Sequence, residues 1–230
     1  SSLDAYLRQH PEVGMARQKE VHFFDNEKVF SQKEVEYGLL ESQFNWDAKA
    51  KCYGESSPIY LYWEPAMKRI WNYNPSMKLI AILRNPAERA FSHWNMEIGR
   101  GKETTDFFSC IKNEKERSKE ALPYQHRIYS YVDRGMYAQQ VRRVFRYFPK
   151  QQVLFIKYED YLQNQVTWIE KVFEFLGVGA NHPIVEQKTF SSTYIRKISL
   201  QEREYLNMLF KNDINEVEQL LGWDCADWKN

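Results

Sequence analysis

Lys78–Gly99 reads KLIAILRNPAERAFSHWNMEIG, and the parsing of this stretch decides the fold. Leu79 to Leu83 is an apolar run too short for a helix of its own. It reads as a strand buried on both faces, as in a parallel sheet. Arg84-Asn85-Pro86 breaks the run. Asn85 is a good N-cap, and Pro86 suits the first helical position, where its missing N–H is not needed. Ala87 to Ile98 continues as a helix with Ala90, Phe91 and Trp94 along its apolar stripe. A guanidinium therefore stands where a strand ends and a helix begins. Ligands of open α/β sheets bind at the carboxyl ends of strands. Helix N-termini attract anions through free N–H groups and the helix dipole. Arg84 adds a planar fork that grips phosphate at two points, and Ser92, farther along, offers a hydroxyl to the same anion. The pattern equally fits a surface arginine that caps a neighbouring carbonyl.

The flanking chain repeats the strand and helix alternation. Before it, Trp63 to Tyr73 reads as a short helix and Ser1 to His10 as the start of an amphipathic one. Lys19 to Asp25 reads as an edge strand. After it, a charged helix is expected from about Thr104 to Ala121, with an alternating-sign, solvated face. Gly135-Met136-Tyr137 opens a helix through Tyr147, and Pro149 ends it. Val153 to Tyr158 is a second buried strand. Trp168 to Leu176 is an amphipathic helix capped by Gly177, and Leu200 to Leu221 is a long helix with an apolar stripe. Buried strands alternating with amphipathic helices predict an α/β fold, a central parallel sheet flanked by helices.

With 230 residues, one domain with a substantial core is expected. A net charge of +1 argues against a nucleic-acid partner. Cys52, Cys110 and Cys225 are odd in number and widely spaced, which argues against a disulfide framework or a zinc site and favours a reducing compartment. No run is long enough to span a membrane. The expectation is a soluble cytoplasmic chain, with the Golgi lumen open only to a protein carrying an upstream anchor.

RNPAERAFSHW resembles the 3′-phosphate-binding motif of sulfotransferases that use 3′-phosphoadenosine 5′-phosphosulfate (PAPS), through Arg84, Pro86, Arg89 and Ser92. KEVHFFD resembles the Glu-x-His-Phe-Phe-Asp motif of the heparan-sulfate-type branch. GESSPIY carries the Glu, Ser, Pro and Tyr of a further family motif as Glu55, Ser57, Pro58 and Tyr60. The stretch from Gly135 to Leu162 matches the family's Gly-x-Tyr…Tyr-Glu-Asp scaffold. The resemblance implies a fold akin to P-loop nucleotide kinases, with PAPS as donor, PAP as product and no metal. It implies that Arg84 and Ser92 hold the 3′-phosphate and that Glu20 is the general base, with His22 a rival whose ordinary pKa lies nearer neutrality. Lys19 either steadies the sulfate oxygens or is a surface charge. Ser56 and Ser57 either face the site or serve the turn. Ser56 stands where glycosaminoglycan 3-O-sulfotransferases have Lys, which weakens the case for heparan sulfate as acceptor. Tyr124 and His126, with Arg127 and Tyr131, either contact the acceptor or pack. Arg196 and Lys197, near Ser192, Thr193 and Tyr194, are candidates for the nucleotide phosphate or for a solvated turn.

At the N-terminus, Ser1-Ser2-Leu3 resembles only the end of the family's 5′-phosphosulfate loop, Lys-x-Gly-Thr-Ser/Thr-Ser/Thr-Leu. The expectation is a single domain over 1–230 without the preceding strand and most of that loop, in a natural chain that extends upstream. The implied activity is sulfuryl transfer to a small-molecule or glycan hydroxyl, a carbohydrate first. The alternatives are a non-catalytic sulfotransferase-like binding protein and a small-molecule kinase. The kinase would need a complete Walker loop and a magnesium carboxylate. Oligomeric state is left open.

Overall fold

A computed structural model of the chain describes residues 2–180, 182–185 and 194–229. The elements in chain order are α1 (Ser2–Leu7), β1 (Val13–Met15), α2 (Glu27–Phe30), α3 (Gly38–Glu41), β2 (Cys52–Gly54), α4 (Ile59–Tyr62), α5 (Ala66–Tyr73), β3 (Leu79–Leu83), α6 (Pro86–Gly99), α7 (Phe107–Lys112), α8 (Glu114–Arg117), α9 (Tyr137–Tyr147), β4 (Val153–Lys157), α10 (Tyr158–Gln163), α11 (Gln165–Leu176) and α12 (Leu200–Leu221). They form a small α/β fold divided into two compact units. The first comprises Ser1–Ala81, Phe148–Ile156 and Asp160–Ser191, and the second Ile82–Tyr147, Lys157–Glu159 and Ser192–Asn230.

In the first unit, β1 and β2 pair in parallel with Val13 opposite Cys52, Gly14 opposite Tyr53 and Met15 opposite Gly54. The Tyr53 ring lies over Gly14, where a Cβ would stand 2.4 Å from Tyr53 Cδ1, so only glycine leaves room for it. Leu3, Tyr6 and Leu7 of α1 and Ile169, Val172 and Phe173 of α11 are buried in this unit's core. Tyr6 Oη donates to Gln165 Oε1 at 3.2 Å. Lys19 to Asp25 is not the expected edge strand. Glu20 and His22 have φ of 58° and 55°, and left-handed residues at alternate positions reverse the chain direction that an extended strand needs.

β3 pairs with β4, separately from β1 and β2, so the described residues hold two two-stranded sheets rather than one continuous central sheet. The strand after Met77 was expected to be buried on both faces. Only Leu83 is, and the rest of β3 is half-buried, because a strand with a single described neighbour has little lateral cover.

In the second unit, α6 starts as its sequence dictates. Asn85 Oδ1 accepts the Ala87 and Glu88 N–H groups at 2.9 and 3.2 Å, and Pro86 occupies the first position. The long α12 packs on α9 and α6, burying Leu206, Phe210, Ile214 and Val217. Gly135 lies against the Phe210 ring, where a Cβ would approach to 2.8 Å. Asp213 reaches from α12 to the start of α9 and accepts the Tyr137 and Ala138 N–H groups at 2.7 and 3.1 Å. The expected single helix over 104–121 is broken into α7, α8 and a 3-10 turn. Glu114 turns inward there, and its carboxyl oxygens accept the Val132 and Asp133 N–H groups, each at 2.7 Å. A stretch that sends a buried acceptor to a distant loop cannot remain one solvated helix.

Candidate functional site

The first unit carries a carboxylate–imidazole–carboxylate cluster. Glu20 Oε2 lies 3.6 Å from His22 Nε2. His22 Nδ1 faces Asp25, with Oδ2 at 3.1 Å. Asp25 is fully buried, and it sets the imidazole so that Nδ1–H donates to it and Nε2 faces Glu20. Lys19 Nζ stands 4.0 Å from Glu20 Oε1. The side chains of Lys19, Glu20 and His22 are each a little over 40% exposed, so all three can meet a solute.

Two left-handed residues flanking Val21 cost about 1–2 kcal/mol each and persist only where their surroundings hold them. The holding groups come from Glu55 to Tyr60. The Glu20 N–H donates to the Ser56 carbonyl at 3.1 Å and the His22 N–H to Ser57 Oγ at 3.3 Å. The Phe23 and Phe24 N–H groups both donate to the Tyr60 hydroxyl, at 2.9 and 3.3 Å. Four of the five backbone donors from 20 to 24 thus end on this one segment. Ser57 Oγ in turn donates to Glu55 Oε2 at 2.8 Å, and Tyr60 also bonds that carboxyl. Burial raises the Glu55 pKa; Ser57, Tyr60, the Val21 N–H and His22 oppose the rise without cancelling it. On the carbonyl side, Arg69 Nη1 donates to the Phe24 carbonyl at 3.0 Å. Arg69 is itself fixed by Glu27 at 2.8 and 2.7 Å.

The two motifs that the sequence shows 30-odd residues apart are therefore one device: GESSPIY shapes the loop that displays Glu20 and His22. Ser57 is buried inside it and faces the loop, so its role is support rather than contact with an acceptor. Ser56 contributes its carbonyl, and its half-exposed hydroxyl remains available.

The second unit carries the anion-binding candidates, and here the structure corrects the helix-terminus expectation. Pro86 has no N–H, and the next two donors are taken by Asn85. The Asn85 N–H donates to Glu159 Oε1 at 3.0 Å. Glu159 Oε2 accepts from Trp228 Nε1, also at 3.0 Å. The protein's own carboxylate therefore occupies the start of α6, where the dipole favours negative charge. The remaining anion-binding candidates are side chains beside the helix. Arg84 is 27% exposed; its hydrogen-bond contacts are long, Nη2 to Glu88 Oε2 at 3.5 Å and Nη1 to the Tyr194 hydroxyl at 3.4 Å, and its guanidinium lies 5.3 Å over the Tyr158 ring. Tyr137 Oη donates to the Arg84 carbonyl at 3.0 Å, which fixes the backbone under the guanidinium. Ser92 follows Glu88 by one helical turn on the same face. Its hydroxyl has no partner among the described residues.

The other candidates are placed differently. Arg196 is bound by Glu202 at 2.8 and 2.5 Å and lies 5.2 Å over both Phe91 and Trp94. Glu202 also closes the capping box of α12 with Ser199. Arg196 is thus committed to the entry of α12, whereas Lys197 is exposed. His126 Nδ1 accepts the Ile128 and Tyr129 N–H groups at 3.0 and 2.7 Å, and Nε2 meets Glu120 at 2.9 Å. Both ring nitrogens serve this turn, so His126 is engaged in packing. Tyr124 is exposed. Ser1, Ser192 and Thr193 lie outside the described residues, as does the side chain of Ser2, which opens α1. Among the described residues no group of His, Cys, Asp and Glu is arranged to hold a metal ion. No helix there is long and apolar enough to cross a membrane.

Sequence reasoning missed three participants. Tyr60 and Glu55 were visible only as motif letters. Glu88 gave no signal beyond its position between Arg84 and Ser92.

The family model for the sulfotransferase domain matches residues 5–229. Mouse heparan sulfate glucosamine 3-O-sulfotransferase 5 is 28% identical over 172 residues, covering 75% of this chain and 48% of the mouse protein. Mouse heparan sulfate glucosamine 3-O-sulfotransferase 6 is 28% identical over 180 residues, covering 75% and 47%. The chain thus spans about half the length of these relatives. The crystal structure of a sulfotransferase from Alicyclobacillus acidocaldarius superposes with a TM-score of 0.84 at 26% identity, covering 100% of this chain and 93% of that one.

Proposed function

The chain belongs to the sulfotransferase domain family, and on that footing we propose that it moves a sulfuryl group from PAPS to an acceptor hydroxyl, with Glu20 as the general base. The observation that carries the reading is the pair of left-handed residues, Glu20 and His22, held by a dedicated set of backbone hydrogen bonds. Backbone strain of this kind is kept where side chains must point in directions that a relaxed chain would not allow.

The donor fits the second unit's side chains. Arg84, partly exposed and weakly engaged, and the unpartnered Ser92 hydroxyl suit a phosphate monoester. PAPS supplies an activated sulfuryl group and, in PAP, a leaving group of low basicity. The chain's own work is to bind and orient. Arg84 and Ser92 hold the 3′-phosphate end, with Lys197 a mobile-armed cation for the same nucleotide. Glu20 accepts the acceptor's hydroxyl proton, which makes that oxygen nucleophilic. His22 Nε2, 3.6 Å away and backed by buried Asp25, faces Glu20 and fixes the direction in which it meets the acceptor. Lys19 steadies negative charge next to Glu20. We read the finer fold likeness, to nucleotide kinases, as part of the same proposal.

The relatives' names point to glucosamine in heparan sulfate as their acceptor. For this chain the acceptor class is a carbohydrate hydroxyl. Ser56, in place of the lysine of glycosaminoglycan 3-O-sulfotransferases, points to a glycan other than heparan sulfate.

Glu20→Gln tests the assignment in the full-length protein. Turnover with labelled PAPS and a glycan acceptor panel is expected to fall at least about a hundredfold, with calorimetric PAP affinity retained. Near-normal turnover would remove Glu20 from the role.

A further inference from the structure

Glu88 is shared by two arginines from distant parts of the chain. Its Oε2 lies 3.5 Å from Arg84 Nη2, and its Oε1 accepts from Arg203 Nη2 on α12. The Arg203 and Glu88 side chains are each 28% exposed, about as open as Arg84. Two guanidiniums about one carboxylate leave a surplus positive charge on partly exposed side chains, one helical turn from Ser92. Arg196 is in the opposite position. It faces Glu202 one to one, in a bidentate pair, and its charge is already matched. On the same face of α12 as Arg203, one turn on, the buried Asn207 Oδ1 has no hydrogen-bond partner.

We propose that Arg203 is a ligand of the nucleotide's 3′-phosphate, acting with Arg84 and Ser92, and that Glu88 holds the two guanidiniums together until the phosphate arrives. The inference rests on the sulfotransferase reading and goes beyond it by assigning a residue of α12 to the donor site in place of Arg196. The chemistry is that of two planar forks meeting a dianion. A phosphate monoester offers three oxygens and nearly two charges at neutral pH, against the two oxygens and single charge of Glu88. Each guanidinium gains a charge-assisted, geometrically matched partner by turning to it. A nucleotide without the 3′-phosphate has nothing to offer this pair, so Arg203 becomes a determinant of donor specificity.

The test is calorimetric titration of the full-length protein with adenosine 3′,5′-bisphosphate and, separately, with adenosine 5′-phosphate. Four proteins are compared: wild type, Arg203→Gln, Arg203→Lys and Lys211→Gln, the last an exposed cation farther along α12 that makes the same change in net charge. In Arg203→Gln the bisphosphate affinity is expected to fall about 10- to 100-fold, the range for a charge-assisted hydrogen bond. Affinity for the 5′-phosphate should stay put. Arg203→Lys should recover part of the loss, and Lys211→Gln should match wild type. If Arg203→Gln keeps the wild-type ratio of the two affinities at an unchanged melting temperature, the inference is overturned. If Arg203→Gln melts early, Arg203→Lys decides: a wild-type ratio in that variant, whose ammonium lacks the fork, also overturns it. A wild type that does not prefer the bisphosphate would overturn the sulfotransferase reading itself, and the Arg203 assignment with it.

Discussion

Replacing Tyr60 by Phe removes one oxygen and leaves the ring in place. That oxygen accepts the Phe23 and Phe24 N–H groups at 2.9 and 3.3 Å and bonds the Glu55 carboxyl. Tyr60 is buried, so water cannot stand in for it without rearrangement. Burial next to the Glu55 carboxyl raises the Tyr60 pKa, which keeps the hydroxyl protonated throughout the working pH range. Each buried donor left without an acceptor costs about 1–3 kcal/mol, and two are stranded here. Part of that cost returns if the loop relaxes, because Glu20 and His22 each shed about 1–2 kcal/mol of left-handed strain. The net expectation is a loss of about 2–4 kcal/mol, read as a lowered urea midpoint at unchanged slope. Relaxation also turns Glu20 away from His22, so turnover should fall at least tenfold while PAP affinity, which the proposed function assigns to the second unit's side chains, holds. A Tyr60→Phe protein within about 0.5 kcal/mol of wild type and fully active would refute the reasoning, since it would mean that the bracket neither stabilises the loop nor shapes it.

Two more outcomes follow from carboxyls that accept N–H groups from distant parts of the chain. Burial pushes Glu114 up to about 7, against the pull of the Asp133 and Val132 N–H groups and of Arg89. Between its ordinary value of 4.5 and about 7, the folded protein holds a proton that the unfolded chain has released. This contribution to stability is complete below 4.5 and is lost as the pH rises through 7, up to about 3 kcal/mol. The melting temperature should fall over that window, and Glu114→Gln, neutral throughout, should flatten the slope; an unchanged slope would sink the assignment. Glu159→Ala strips the acceptor from the Asn85 N–H and Trp228 Nε1 and should cost about 3–6 kcal/mol in urea unfolding, as expected for two hydrogen bonds to a charged group. A stability within 0.5 kcal/mol of wild type would show that Glu159 does not anchor the start of α6.

Much of this protein was legible along the chain. The strand, cap and helix of Leu79 to Gly99 follow from an apolar run, an asparagine and a proline within a few residues of one another, and so does the run of α12 between Ser199 and Gly222. The residues singled out as base and rival base, Glu20 and His22, do lie beside each other with Asp25 behind them. The edge-strand reading of Lys19 to Asp25 failed because hydropathy alternation does not register φ. The left-handed turns are imposed by acceptors in residues 55–60, which no local pattern in 19–25 announces.

By itself the sequence determined what nearby atoms enforce: where helices start and stop, which faces are apolar, and which short motifs carry an arginine, a glutamate or a histidine. Only the tertiary structure decided who partners whom. Glu159, 74 residues away, fills the helix terminus that was expected to receive an external anion. Arg196, the nearer candidate by motif, is neutralised by Glu202, while Arg203 reaches Glu88 across 115 residues of chain. Capping and periodicity depend on stereochemistry within a turn or two, whereas a charged group's role depends on which opposite charge folding places against it.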